Sequence, residues 1–185
     1  MMKPVRRHLI CRSLSAVVAM VFAGGAFAGE AAVATHSASF TLQYISPGKT
    51  SMPIDASVLG KLPRTTVQAG AHGAAPTAWE GVKLIDVLRA EGAPTDAALR
   101  GNALADVVRV TATDGYQIAF SLGELDAGLG AASVVLVDTH EGKPLEAKDG
   151  PYRLVVPADG RPARWIHNVQ SIELLELSTR KPPAH

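Results

Sequence analysis

Apolar positions along this chain fall into two regimes. From Leu14 to Phe27 they run almost unbroken, interspersed with Ala and Gly, behind a basic start of Lys3, Arg6, Arg7 and Arg12. That layout, ending in Ala26-Phe27-Ala28, predicts a cleavable export signal over residues 1–28 with Ala28 at the cleavage point. Its apolar core is about fourteen residues long, shorter than the roughly 20 that a bilayer span needs. After it, no apolar run approaches membrane length, and residues 29–185 are expected to leave the membrane once the signal is removed.

From residue 39 onward the apolar residues come in short groups. Alternation of Phe40, Leu42 and Tyr44 or Ile45 predicts a strand over Ser39 to Ile45, with a turn at Ser46-Pro47-Gly48. Further strands are expected at Arg64–Gln68, Val107–Thr113, Tyr116–Phe120, Val134–Val137, Tyr152–Val156 and Ser171–Leu177. Asp114-Gly115 between two of them is the strongest hairpin signal, and Glu141-Gly142 marks another turn. Asp55 is placed to cap a short helix reaching Leu59. Ser121 with Glu124 three residues on forms a capping box. Val82, Leu84, Ile85 and Leu88 share one helical face, which predicts a helix over Trp79–Leu88 stopped by Gly92 and Pro94, followed by a helical turn over Thr95–Leu99. Between Gln68 and Ala78 periodicity disappears into Gly, Ala, His and Pro, a loop where a site can be built. Many short strands with interspersed short helices predict an α+β fold with mixed or antiparallel sheets. The domain is expected over 39–178, with a flexible leader at 29–38 and a flexible tail at 179–185.

Charge and cysteine content narrow the chemistry. The whole chain carries 18 basic and 17 acidic residues. Four of the basic ones and none of the acidic ones lie in the signal, which leaves fourteen against seventeen and a net charge of −3. Such a surface gives no electrostatic reason to expect nucleic acid or anionic lipid as a partner. Cys11 is the one cysteine and lies inside the signal, so the exported domain has no thiol nucleophile, iron-sulfur site or zinc ribbon. Neither a Gly-x-Ser-x-Gly elbow nor a phosphate-cradling or dinucleotide-binding glycine motif is present. His36, His72, His140, His167 and His185 never take the i, i+4 spacing of a helical metal site, and only His72 falls in the aperiodic loop. Asp138 and Glu141 beside a turn read as solvated charge before they read as an acid-base pair. The signal itself predicts a periplasmic or secreted protein. Its Arg6-Arg7-His8-Leu9-Ile10 run fits folded export by the twin-arginine route, although paired arginines also occur in ordinary signals.

Several runs, taken in order, carry a resemblance. They are Trp79-Glu80-Gly81-Val82-Lys83-Leu84-Ile85-Asp86-Val87-Leu88, Asp114-Gly115-Tyr116 with Ser121-Leu122, Gly142-Lys143-Pro144-Leu145, Gly150-Pro151-Tyr152-Arg153-Leu154-Val155-Val156-Pro157 and Arg164-Trp165. Over roughly Phe40 to Leu177 this order resembles the molybdopterin-binding domain of the sulfite oxidase family. The resemblance implies a sulfite-oxidase-type fold of mixed sheets with short helices. It also implies a molybdenum held by the pterin dithiolene and by one cysteine thiolate upstream of the tryptophan-glycine run. A soft thiolate suits that metal, and hard oxygen or amide groups replace it poorly.

The matching segment here, Thr65-Thr66-Val67-Gln68-Ala69-Gly70-Ala71-His72, is similar to the family's threonine-leucine-glutamine-cysteine-alanine-glycine-asparagine-arginine pattern. Aligning Ala69-Gly70 without a gap puts Gln68 at the cysteine position and His72 at the arginine position. A shift of one puts Ala69 there. Asp138 stands where sulfite oxidases carry an active-site tyrosine. Arg153 and Arg164 match basic positions of the pterin-binding half, with surface ion pairs as their plainer reading. Gln68, Ala69, His72, Asp138, Arg153 and Arg164 are therefore the candidate cofactor-binding residues, with no catalytic residue and no metal ligand assigned. Two functions follow. The first is a cofactor-free, non-catalytic module with a degenerate active site, taking a small-molecule or anionic ligand or a periplasmic protein partner. The alternative is a molybdopterin-dependent oxidoreductase acting on a small oxyanion or sulfoxide, with ligation by Gln68, His72 or Asp138. Loss of both thiolate and tyrosine favours the first.

Overall fold

The computed structural model describes residues 42–54 and 56–177. The expected export signal, leader and tail, Phe40 and the expected Asp55 cap lie outside those residues.

Alternation builds a first sheet of five strands. β1 (Gln43–Ile45) turns Tyr44 into the core, and β2 (Met52–Pro53) returns antiparallel beside it. After α1 (Ala56–Leu59) the chain leaves this sheet for β3 (Arg64–Ala69) and β4 (Thr77–Lys83) and returns to it further on. β5 (Val107–Ala112) and β6 (Gln117–Ser121) alternate cleanly, with Val108, Val110, Ala112, Ile118 and Phe120 buried. Their connection is the expected hairpin, closed by Gly115 N–H donating to the Ala112 carbonyl at 3.0 Å and Ala112 N–H to Tyr116 at 2.9 Å. The last strand of the sheet, Val169–Leu175, inserts between β1, to which it runs parallel, and β5, to which it runs antiparallel. A mixed sheet results.

The second sheet is antiparallel and carries the motifs. β3 pairs with β4 over six rungs from Arg64↔Val82 to Ala69↔Thr77. β4 pairs in turn with β7 (Val135–His140), whose first three residues are buried on both faces. β8 (Lys143–Pro144) and β9 (Arg153–Val155) both pair with β7. With the final strand numbered β10, the sheet orders are β2-β1-β10-β5-β6 and β3-β4-β7-β8, with β9 also on β7. One cluster of buried apolar side chains draws on both sheets, from Leu42 and Ile172 in the first to Trp79, Val82 and Leu136 in the second. Each large side chain buried in it stabilises by about 1.5–3 kcal/mol.

The expected helix over Trp79–Leu88 is corrected by this topology. Only its second half is helical, as α2 (Leu84–Ala90), while Trp79 to Lys83 belong to β4. Val82 fits the helical spacing of Leu84, Ile85 and Leu88, but it is buried as a strand residue paired to both Arg64 and Leu136. Gly81 makes this pairing feasible, because a Cβ there would lie 2.0 Å from the Leu136 carbonyl oxygen. The chain passes from strand to helix without a side-chain cap at Lys83, and Leu84 N–H still donates to the Val134 carbonyl at 2.9 Å. The aperiodic loop is shorter than expected, since β3 runs through Ala69 and β4 begins at Thr77. β7 extends three residues past Val137 to His140.

Other short elements match the sequence reading. A 3-10 turn over Asp96–Ala98 lies within the expected Thr95–Leu99 turn. Ser121 caps α3 (Leu122–Leu125), its hydroxyl accepting the Glu124 N–H at 3.0 Å. Further 3-10 turns at Gly101–Ala105 and Pro162–Arg164 have no apolar periodicity to betray them.

Candidate functional site

Strand register assembles a cavity at one end of the second sheet. Pairing of β4 with β7 sets Trp79 opposite His140, and the rings stack with centroids 3.8 Å apart and planes 14° from parallel. His140 Nε2 lies 2.9 Å from the Thr77 hydroxyl, and the Trp79 indole N–H donates to the Ala69 carbonyl at 3.1 Å. Both rings are thereby fixed to β3 and β4. Beyond His140 the chain reverses over Glu141 and Gly142, at φ 50° and 72°, a two-residue turn in the left-handed region that glycine adopts without strain. The Glu141 carboxylate caps the neighbouring strand by accepting Ala78 N–H at 2.5 Å. Lys143 is returned beside the stack. Arg153, paired to Val137 on β9, extends its guanidinium to 5.2 Å from the Trp79 ring centroid. Together these groups line a cavity of about 500 Å³, with Lys148 and Asp149 at its rim.

The charges of this cavity are unevenly satisfied. Glu141 is engaged by Ala78 N–H, Glu146 by Lys148 at 2.9 Å and Asp149 by Arg153 at 2.9 Å. A hydrogen bond from Lys148 holds the Glu146 carboxyl below its usual range. Arg153 is different. Its Nη1 reaches Asp149, but its Nε is buried with no hydrogen-bond partner. Burial pulls its pKa down against the opposing pull of Asp149, yet a guanidinium stays charged in proteins. The part of the guanidinium that lines the cavity, together with Lys143, offers positive charge that an anion complements.

The six residues singled out in the sequence are dispersed. Arg153 alone lines the cavity. Gln68 points outward from edge strand β3, exposed and paired to Ala78. Ala69 is buried, its methyl carries no donor, and its carbonyl accepts from Trp79. His72 is exposed at φ 52° in a turn closed by Ala74 N–H to the Ala71 carbonyl at 2.9 Å. Asp138 is held by Arg64 through two hydrogen bonds of 2.6 and 2.7 Å and by the Thr139 hydroxyl at 2.8 Å. Burial raises its pKa, but these bonds outweigh burial and leave the carboxyl below its usual range. Arg164 bridges Asp159 and Glu124 and lies over Phe120 at 4.8 Å, and it does not line the Arg153 cavity. Hydrogen bonds that it donates to those two carboxylates raise its pKa.

This donor set does not fit a thiolate-held molybdenum. Gln68 and Asp138 offer hard oxygen or amide groups, Ala69 offers none, and among the described residues no three His, Cys, Asp or Glu side chains converge on one point. The Arg153 guanidinium and Lys143 in the cavity lining do fit an anionic group. Trp79, His140 and Lys143 were not singled out from sequence as one site. Their association depends on β7 continuing past Val137, which the polar run Asp138-Thr139-His140 disguises.

Comparison with known proteins bears out the resemblance and the α+β fold. Residues 33–182 match the family model of the oxidoreductase molybdopterin binding domain. Among solved structures, the fold is similar to that of the sulfane dehydrogenase SoxCD from Paracoccus pantotrophus, with a TM-score of 0.54 and 19% sequence identity. That match covers 74% of this chain and 38% of the other, so the chain spans well under half of its length. No curated protein matches the sequence significantly.

Proposed function

Because the chain belongs to the oxidoreductase molybdopterin binding domain family, we propose that it is an exported, non-redox member of that fold which binds a small anionic ligand in the cavity between Trp79 and Arg153. The observation that carries this reading is the contrast between two positions. At the metal-anchoring position stand an outward Gln68 and a buried Ala69 whose carbonyl is already bonded. In the cavity the half-buried Arg153 guanidinium presents positive charge beside Lys143. A scaffold with an anion-binding group and no soft ligand suits binding better than molybdenum redox chemistry.

The cavity's size falls within the range of small-molecule sites, and its wall of stacked Trp79 and His140 suits a flat or compact ligand. Export places the domain in the periplasm or outside the cell, where a ligand or a protein partner would meet it. Titration with inorganic phosphate and with sulfate, read by the amide and side-chain NMR signals of Arg153 and the Trp79 indole, tests the binding function. Saturable shifts lost in Arg153→Gln support it. Shifts absent in the wild type, or unchanged in the variant, contradict it.

A further inference from the structure

A second cavity, of about 320 Å³, lies beneath the β5–β6 hairpin and next to the 3-10 turn at Pro162–Arg164. Its lining is largely apolar and aromatic, with Tyr116, Pro162, Trp165 and Ile166, and its one carboxylate is Asp114. Among the described residues no lysine or arginine lines it. The two tryptophans of the chain divide between the cavities: Trp79 lines the one beside Arg153 and Trp165 lines this one, the rings meeting edge-on at 6.2 Å and 78°.

We propose that this hairpin cavity is a binding site for a small organic ammonium cation. Tyr116 is half exposed, at 51%, yet it is not loose, because its hydroxyl donates to the Ala163 carbonyl at 2.9 Å and holds the ring across from the Pro162–Arg164 turn. An aromatic fixed in place loses little freedom when a ligand arrives. Asp114 commits one carboxylate oxygen, Oδ1, to the Tyr116 N–H at 2.9 Å, which orients the group and leaves its Oδ2 for a ligand. His167 Nδ1 faces the Asn168 amide nitrogen at 3.2 Å.

Chemistry selects among ligands. An anion would meet Asp114 with no compensating cation. A neutral apolar molecule would cover the carboxylate and leave it unpaired, which is unfavourable. A hard metal ion needs six or more oxygens, and one carboxylate among apolar walls supplies too few. An alkylammonium ion satisfies both parts of the lining, because aromatic rings attract cations through their quadrupole and the carboxylate pairs with the charge. The volume limits it to a compact ion.

The test is an NMR titration of the whole protein with tetramethylammonium chloride, with sodium chloride at matched ionic strength and tert-butanol as a neutral ligand of similar size. The two indole N–H signals separate the sites. The Trp165 and Tyr116 signals should shift saturably at millimolar tetramethylammonium, with neither control reproducing the effect. Asp114→Asn should weaken binding about tenfold, and because Asn-Gly is as good a hairpin turn and Asn still accepts the Tyr116 N–H, the fold should persist. Tyr116→Leu removes an aromatic wall without touching the charge and should also weaken binding. Absence of saturation in the wild type, equal shifts with tert-butanol, or full affinity in both variants with well-dispersed spectra overturns the proposal.

Discussion

Trp79 and His140 occupy paired positions on adjacent strands and lie face to face, 3.8 Å between ring centroids. The pair joins fold to site: Trp79 is a buried core residue whose indole N–H bonds Ala69, and the same rings form a wall of the Arg153 cavity. Trp79→Ala should destabilise the domain by about 3–5 kcal/mol, as expected for an aromatic deleted from a core. Chemical denaturation measures it, and a loss under about 1 kcal/mol would show that Trp79 is not a core anchor.

Gly81 yields a sharper expectation. A methyl group there would meet the Leu136 carbonyl oxygen at 2.0 Å and the Val137 Cα at 2.5 Å, both backbone atoms that cannot rotate away. Gly81→Ala should therefore separate β4 from β7 and cost about 3 kcal/mol or more, at or beyond the upper end of typical overpacking. A variant with the wild-type denaturation midpoint would contradict the close strand approach.

These two residues also explain what the sequence could and could not convey. The β5–β6 hairpin and the Ser121 cap were legible because their signals are local: a turn dipeptide between alternating strands, and a hydroxyl three residues before a glutamate. The Trp79–Leu88 run misled because Val82 happens to fit the helical spacing of α2. What makes residues 79–83 a strand is Gly81 pressed against β7, a partner more than fifty residues away. The site divides likewise. Arg153 was identified from its motif and does line the cavity, whereas the Trp79–His140 wall exists only through the β4–β7 register. Arg164 carries the same kind of motif signal, but Asp159 and Glu124 enclose it.

Two aspartates should give opposite pH dependences. Hydrogen bonds from Arg64 and Thr139 outweigh burial and lower the Asp138 pKa, so its stabilising contribution is present above the unfolded value and is lost as pH falls through the folded one. Arg64 and Asp138 are partly exposed, and the contribution should stay below about 1 kcal/mol. Asp106 is raised instead, first by burial and then by Glu176, and its Oδ1 has no partner. Its stabilising contribution is present below the unfolded value and is lost as pH rises through the folded one. Asp138→Asn should thus lower stability at neutral pH and have no effect in strong acid. Asp106→Asn should raise stability at neutral pH by about 1 kcal/mol, a gain that vanishes in acid. Denaturation midpoints across pH check both, and parallel curves for wild type and variant would exclude either assignment.

Arg153 and Arg164 should also separate. Removing a charge-assisted donor from the cavity by Arg153→Gln should weaken phosphate or sulfate binding about tenfold or more. Arg164→Gln should leave that affinity unchanged and reduce stability by about 1–2 kcal/mol through loss of its double ion pair. Anion titrations paired with unfolding curves distinguish the roles; equal losses of affinity in both variants would place Arg164 at the ligand after all.

The most direct measurement is the molybdenum and pterin content of the protein purified from a host that makes the cofactor. Elemental analysis and pterin fluorescence after oxidation should show neither in stoichiometric amount, because Gln68 and Ala69 supply no soft ligand. About one molybdenum and one pterin per chain would contradict the account and establish a molybdopterin enzyme that manages without a cysteine ligand.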